Sequence, residues 1–267
     1  MALPEPSPKS TCLVTGASSG IGADIARELV GRGHNVTLAA RREERLRELA
    51  DELSHSGVRA DAVRCDVTDA ASRDALAATI AAAGLEVDVL VNNAGYGSGG
   101  LFQELDGDAE VRMVQTNCEA VIALCVRYVP GMVERGRGAI LNVGSTAGFQ
   151  PLPRQATYSA TKAFVNSFSE ALSADLHGTG VSVTVLCPGP VTTEFIEIAG
   201  AEEAVAGTPA FAVKSPEYVA AAAVEGMDKG RRVVTPGAVA TAASVAGHYT
   251  PRSVLLPMLR RFYPVGK

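Results

Sequence analysis

From residue 11 to about residue 236, short apolar runs alternate with longer stretches in which apolar residues recur every three or four positions. Runs bounded by glycine and polar residues fit buried strands, and the longer period fits amphipathic helices. The pattern predicts strands over 11–15, 35–40, 58–64, 87–92, 138–143, 181–187 and 231–235. Helices are predicted between them, over 21–32, 43–54, 70–83, 109–135, 157–177 and 216–229. Ser215 followed by Pro216 marks the start of the last helix, a cap residue ahead of a proline that needs no N–H in the first turn. Alternating strands and helices make parallel βαβ units, and right-handed crossovers place helices on both faces of one doubly wound sheet of about seven strands. No linker or composition break divides 11–236, so a single α/β domain is expected.

The two ends read differently. Residues 1–10 hold three prolines and no apolar run, which predicts a disordered leader rather than a secretory signal. Residues 237–267 contain no acidic residue, and prolines at 251, 257 and 264 should keep helices short. An extension packing on the same domain is expected there.

Composition narrows the class. With 267 residues, 47% hydrophobic and 20% charged, the chain needs no metal or disulfide to fold. A net charge of −5 gives no footprint for nucleic acid. The five cysteines are scattered without a CxxC pair, which points to a reducing, cytoplasmic setting. The four histidines have no metal-ligand spacing, and no run reaches the roughly 18 apolar residues of a membrane span.

Candidate chemistry begins where the first strand ends, at Thr15-Gly16-Ala17-Ser18-Ser19-Gly20-Ile21-Gly22. Glycines there let the backbone turn sharply, and the next helix offers its N-terminal N–H groups to a phosphate. The same loop satisfies GxSxG over 16–20, the nucleophile elbow of an α/β-hydrolase, with His177 or His248 as possible partners. That elbow normally lies deeper in a sheet, and no HGGG-type oxyanion loop accompanies it. Further along stand Asp66-Val67 after the third strand, Asn92-Asn93-Ala94-Gly95 after the fourth and Pro188-Gly189-Pro190-Val191-Thr192-Thr193 after the sixth. Tyr158 and Lys162 are four apart, hence on one helix face, with Ser145 thirteen residues earlier and Asn117 before that.

TGxxxGxG, NNAG, the PG turn and YxxxK, in this order over residues 11 to about 235, resemble the short-chain dehydrogenase/reductase family. The resemblance implies a Rossmann-type domain binding a nicotinamide dinucleotide. It implies that Gly16, Ser18, Ser19, Gly20 and Ile21 hold the cofactor, with Asp66 and Val67 at the adenine. Asn93, Ala94 and Gly95 would flank it, and Pro188, Gly189, Val191 and Thr193 would meet the nicotinamide. Asn117, Ser145, Tyr158 and Lys162 match the family's catalytic tetrad. A hydride reaching a carbonyl carbon leaves charge on oxygen, which Ser145 would hydrogen-bond and Tyr158 would protonate. Lys162 would pull the phenol's pKa down and hold the nicotinamide ribose, and Asn117 would support a water relay.

The second strand ends Ala39-Ala40-Arg41-Arg42, without the acid that binds an NAD ribose. Arg41, as the first residue past the strand, is the expected contact for a 2′-phosphate, making the cofactor NADP(H). The alternative is that Arg41, Arg42 and Arg45 only decorate a solvated helix start with Glu43 and Glu44. The apolar segment 194–213 corresponds to the family's substrate lid and suggests a lipophilic ketone, a 3-oxoacyl or a steroid-like substrate. A non-catalytic, partner-binding family member is the other reading. Apolar residues along 109–135 and the family's habit imply a homodimer or homotetramer. The tail, with seven basic residues from 229 to 267, leaves two readings: weak attachment to an anionic membrane, or cover for the pocket mouth or a subunit seam.

Overall fold

The computed structural model describes residues 3–195 and 209–262. Its strands are β1 (Ser10–Thr15), β2 (Val36–Ala40), β3 (Ala60–Arg64), β4 (Glu86–Asn92), β5 (Gly138–Val143), β6 (Val181–Leu186) and β7 (Val233–Val234). All pair in parallel, in the order β3-β2-β1-β4-β5-β6-β7. The helices are α1 (Gly20–Gly31), α2 (Glu43–Ser54), α3 (Ala70–Ala82), α4 (Gly107–Val114), α5 (Ala120–Glu134), α6 (Ala156–Asp175) and α7 (Pro216–Asp228). Two more, α8 (Ala238–Tyr249) and α9 (Arg252–Phe262), come after β7. This is the doubly wound Rossmann-type sheet the pattern predicts.

Strand residues alternate between two cores, as a period of two requires. Val14, Leu38, Val89 and Leu141 meet Leu29, Leu46 and Val224 of α1, α2 and α7. Their neighbours Leu13, Leu90 and Ile140 meet Leu76, Leu124 and Leu172 of α3, α5 and α6. Because helices cover both faces, the strands read as unbroken apolar runs. β1 and β4 are neighbours whose outgoing connections leave in opposite directions, and this opens a crevice at their carboxyl ends.

Three expectations need correction. The predicted helix 109–135 is two helices joined by a π-helical turn, Gln115–Glu119, which carries Asn117. Such turns keep the apolar period nearly intact, so periodicity does not reveal them. The leader is packed from Leu3 onward. Leu3 is buried in the core, the Glu5 carbonyl accepts from Arg137, and the Ser7 carbonyl accepts from Asn35 at 3.2 Å. One apolar side chain and two backbone acceptors suffice to tie it down. Pro257 lies inside α9 rather than ending it, while Leu255 and Leu259 of that helix are buried.

The C-terminal helices pack on the rim of the crevice. A Cβ at Gly189 would lie 3.3 Å from the Ala240 Cβ, His248 meets Phe149 edge-on, and Arg252 donates to the Phe149 carbonyl at 3.3 Å. No helix among the described residues is long and apolar enough to cross a membrane.

Candidate active site

Loops at the carboxyl ends of the strands line the crevice. Past β1 the chain turns at Gly16, with φ +66°, where a Cβ would lie 2.8 Å from the Ala94 Cα. At Gly22 a Cβ would lie 2.3 Å from the Asn93 Nδ2. Only glycine admits this approach. Thr15 stitches the two loops together. Its Oγ1 donates to the Val91 carbonyl and accepts from the N–H groups of Asn93 and Ala94, at 3.0–3.1 Å. Asn93 in turn donates from Nδ2 to the Thr15 and Gly16 carbonyls.

α1 starts in this loop with no side-chain cap at Ser19 and no acid in its first turn, whereas α3, α4 and α7 are capped by Asp69, Asp106 and Ser215. Its first N–H groups are left for an anion. A bare helix N-terminus above a glycine cradle fits the pyrophosphate of a dinucleotide. Asp66 lies beyond β3. Burial pushes its carboxyl up, but hydrogen bonds from Thr68 and the charges of Arg41 and Arg64 outweigh this and hold it below its ordinary value.

The expected tetrad converges. β5 delivers Ser145, whose extended backbone caps the 3-10 turn Thr146–Phe149, and its Oγ accepts from the Ala147 N–H at 3.0 Å. Tyr158 and Lys162 emerge from the first turns of α6, both buried. The Tyr158 hydroxyl and the Ser145 side chain are close enough for hydrogen bonding between them to act on the phenol's pKa. Lys162 Nζ lies 5.9 Å from the centroid of the Tyr158 ring and donates to the Val143 carbonyl at 2.7 Å. Asn117, on the π turn, donates to the Tyr96 carbonyl and to Thr161 Oγ1 and accepts from the Tyr96 N–H. Both ends of its amide therefore brace protein, α6 included, which the sequence does not disclose.

Electrostatically the pair differs from expectation. Burial pushes the Tyr158 phenol up to about 12, with the Ser145 hydrogen bond pulling the other way. Burial also brings the Lys162 ammonium down to about 8. Desolvation outweighs the effect of the Ser145 hydrogen bonding on the phenol. Tyr158 is therefore held as an acid at neutral pH.

The sequence also misses several neighbours. Asn166 donates to the Ser145 carbonyl at 3.1 Å and so positions that residue from α6. Phe195 lies against Tyr158 with ring centroids 5.5 Å apart, and Met113, Ala147, Leu152 and Tyr96 complete an apolar wall. At the other end of the crevice, Arg42 rather than Arg41 reaches the glycine loop. It donates from Nε to Ser18 Oγ at 3.1 Å and from Nη2 to Ser19 Oγ at 2.7 Å. Arg41 is exposed, and its charge acts on Asp66 and Tyr96 instead. The Arg42 guanidinium cannot take a proton from Ser18, so the hydrolase reading of the GxSxG loop has no base at its nucleophile. Of the expected lid, residues 196–208 lie outside the described residues.

Residues 10–204 match the family profile described as short chain dehydrogenase. The NADP-dependent 3-hydroxy acid dehydrogenase of Salmonella typhimurium is 44% identical over 191 residues, covering 70% of this chain and 75% of that protein. A short-chain dehydrogenase from Sphingobium yanoikuyae in complex with NADPH superposes with a TM-score of 0.79 at 33% identity, covering 93% of this chain and 95% of the other. Actinorhodin polyketide ketoreductase with NADPH gives 0.76 at 35% identity, over 86% and 97%. Sequence profile, curated relative and fold agree: the chain is an oxidoreductase that belongs to the short-chain dehydrogenase/reductase family.

Proposed function

We propose that the protein reduces the carbonyl of a lipophilic ketone, 3-oxoacyl or steroid-like compound with NADPH, and oxidises the matching secondary alcohol in reverse. The observation that carries this reading is the pair of buried residues Tyr158 and Ser145, side by side next to an apolar wall that includes Met113, Leu152 and Phe195. NADPH, when bound, supplies the hydride. As the carbonyl oxygen gains charge, Ser145 and Tyr158 are the two hydroxyls positioned to donate to it, and Tyr158 gives up its proton. With burial holding the phenol up at about 12, Tyr158 carries its proton at neutral pH.

NADP named for the Salmonella relative and NADPH in both solved structures support this cofactor. Gly16, Gly20 and Ile21 at the start of α1 take the pyrophosphate. Asp66 and Val67 face the adenine, Asn93, Ala94 and Gly95 flank the cofactor, and Pro188, Gly189, Val191 and Thr193 meet the nicotinamide. Lys162 holds its ribose. The 2′-phosphate lies against Ser18, Ser19 and Arg42, with Arg41 on the adenine side. A panel of ketones, 3-oxoacyl thioesters and steroids, read by loss of NADPH absorbance, tests the reading. Turnover of small polar aldehydes alone would overturn the substrate class.

Lys162 sets the expected pH profile. Its ammonium is present below about pH 8 and lost as pH rises through that value. Reductive kcat/KM should be level at lower pH and decline above it, in a stopped-assay series at constant ionic strength. A profile flat to pH 10 would remove Lys162 from the reacting set.

Val111, Val126 and Phe164 are exposed on α4, α5 and α6. They support a homodimer or homotetramer formed through these helices, as apolar patches on a surface commonly do. Val126→Glu should shift the sedimentation coefficient to that of a monomer; an unchanged value places the contact elsewhere.

A further inference from the structure

Three consecutive residues after the PG turn lie along the crevice. Thr193 brings its Cγ2 to 3.1 Å from where a Cβ of Gly20 would stand, above the bare start of α1. Glu194 puts one carboxylate oxygen 2.8 Å from Arg42 Nη1 and the other 2.7 Å from Arg45 Nη1. Phe195 packs on the Tyr158 ring. Arg42 meanwhile keeps its remaining donors on Ser18 and Ser19. Arginine forks recognise carboxylate and phosphate with the same planar geometry.

We propose that Glu194 is a specificity-determining residue: its carboxylate stands between Arg42 and Arg45 as an internal counterpart of the 2′-phosphate of NADP(H), and the 2′-phosphate must displace it. The proposal rests on the NADP(H) reading. Displacement has a second effect, because residue 195 is covalently next in line. While Glu194 is bound, Phe195 is held over Tyr158; once Glu194 is freed, Phe195 can leave the face of the catalytic tyrosine. NADH carries no anion at this position, so it competes for neither arginine and leaves the aromatic cover in place. Displacing Glu194 therefore lowers affinity for the 2′-phosphate. The preference for NADP(H) comes from attraction to the phosphate, less that cost, and from the uncovering of Tyr158, which NADH does not bring about. The two arginines hold the Glu194 carboxyl down to about 2, so the contact persists across the whole working pH range.

The probes are adenosine 2′-monophosphate and adenosine 5′-monophosphate, with binding measured by calorimetry on the full chain. Glu194→Gln keeps the shape and removes the charge. Two half-exposed ion pairs correspond to roughly a 3- to 10-fold effect. The variant should bind the 2′-phosphate probe tighter by about that factor, with the 5′ probe unchanged. The chain has no tryptophan, so Phe195→Trp gives a lone reporter beside Tyr158. Its emission should shift on addition of the 2′ probe and not with the 5′ probe. Equal affinity of parent and Glu194→Gln for the 2′ probe, or an emission shift common to both probes, overturns the proposal while leaving the NADP(H) reading intact. A parent protein that does not discriminate the 2′ probe from the 5′ probe overturns both.

Discussion

Tyr158→Phe is expected to lower kcat for ketone reduction by roughly 10²- to 10⁴-fold, the usual contribution of a positioned proton donor. The substitution removes one hydroxyl from a buried ring and leaves the ring's contacts with Phe195 and Met113 in place. NADPH affinity should therefore be within a few-fold of the parent, so the loss falls on kcat and on kcat/KM together. Ser145→Ala should lose the second donor to the same oxygen and show a smaller defect. A phenylalanine variant with turnover within tenfold of the parent would mean that another acid protonates the product. Among the described residues, the Ser145 hydroxyl otherwise meets backbone groups, the Ala147 N–H and the Pro188 carbonyl.

The second large effect concerns cofactor preference. Arg42→Ala should lower the ratio of kcat/KM for NADPH to that for NADH by roughly 10- to 150-fold. That corresponds to the 1.5–3 kcal/mol of a charge-assisted hydrogen bond to phosphate. Arg41→Ala should give the smaller change, since its charge acts toward Asp66 and Tyr96 rather than the glycine loop. If Arg41→Ala proves the larger, the phosphate is read from the strand end and Arg42 serves to hold Ser18 and Ser19.

The difference between those two arginines marks where the sequence stops being readable. Strand β5 and helix α2 match their predicted limits, 138–143 and 43–54, because apolar runs and the polar residues bounding them are local signals. The direction of Arg42 is not local. It depends on a backbone at φ −85°, ψ 85° between strand and helix, and on two serines and a glutamate that are brought to it by folding. The grouping of Ser145, Tyr158 and Lys162 was legible because YxxxK, its serine and NNAG have fixed spacings. The bracing around it was not, since Asn166 and Thr161 carry no pattern of their own. Glu194 was legible only as part of a lid, and its partners lie about 150 residues away in the chain. The burial of Tyr158, which sets its pKa, comes from Met113, Ala147 and Phe195 on three separate segments. Spacing alone predicts a lowered phenol there, and packing produces a raised one.

Transfer of the reducing hydrogen tests the central claim most directly. With NADPH deuterated on the transferring face of C4 and a ketone from the panel, the alcohol product should carry one deuterium on the carbinol carbon by mass spectrometry. The Tyr158→Phe variant should form this product at least a hundredfold more slowly under the same conditions. An alcohol without deuterium at that carbon, or labelled alcohol formed at the parental rate by the phenylalanine variant, would contradict it.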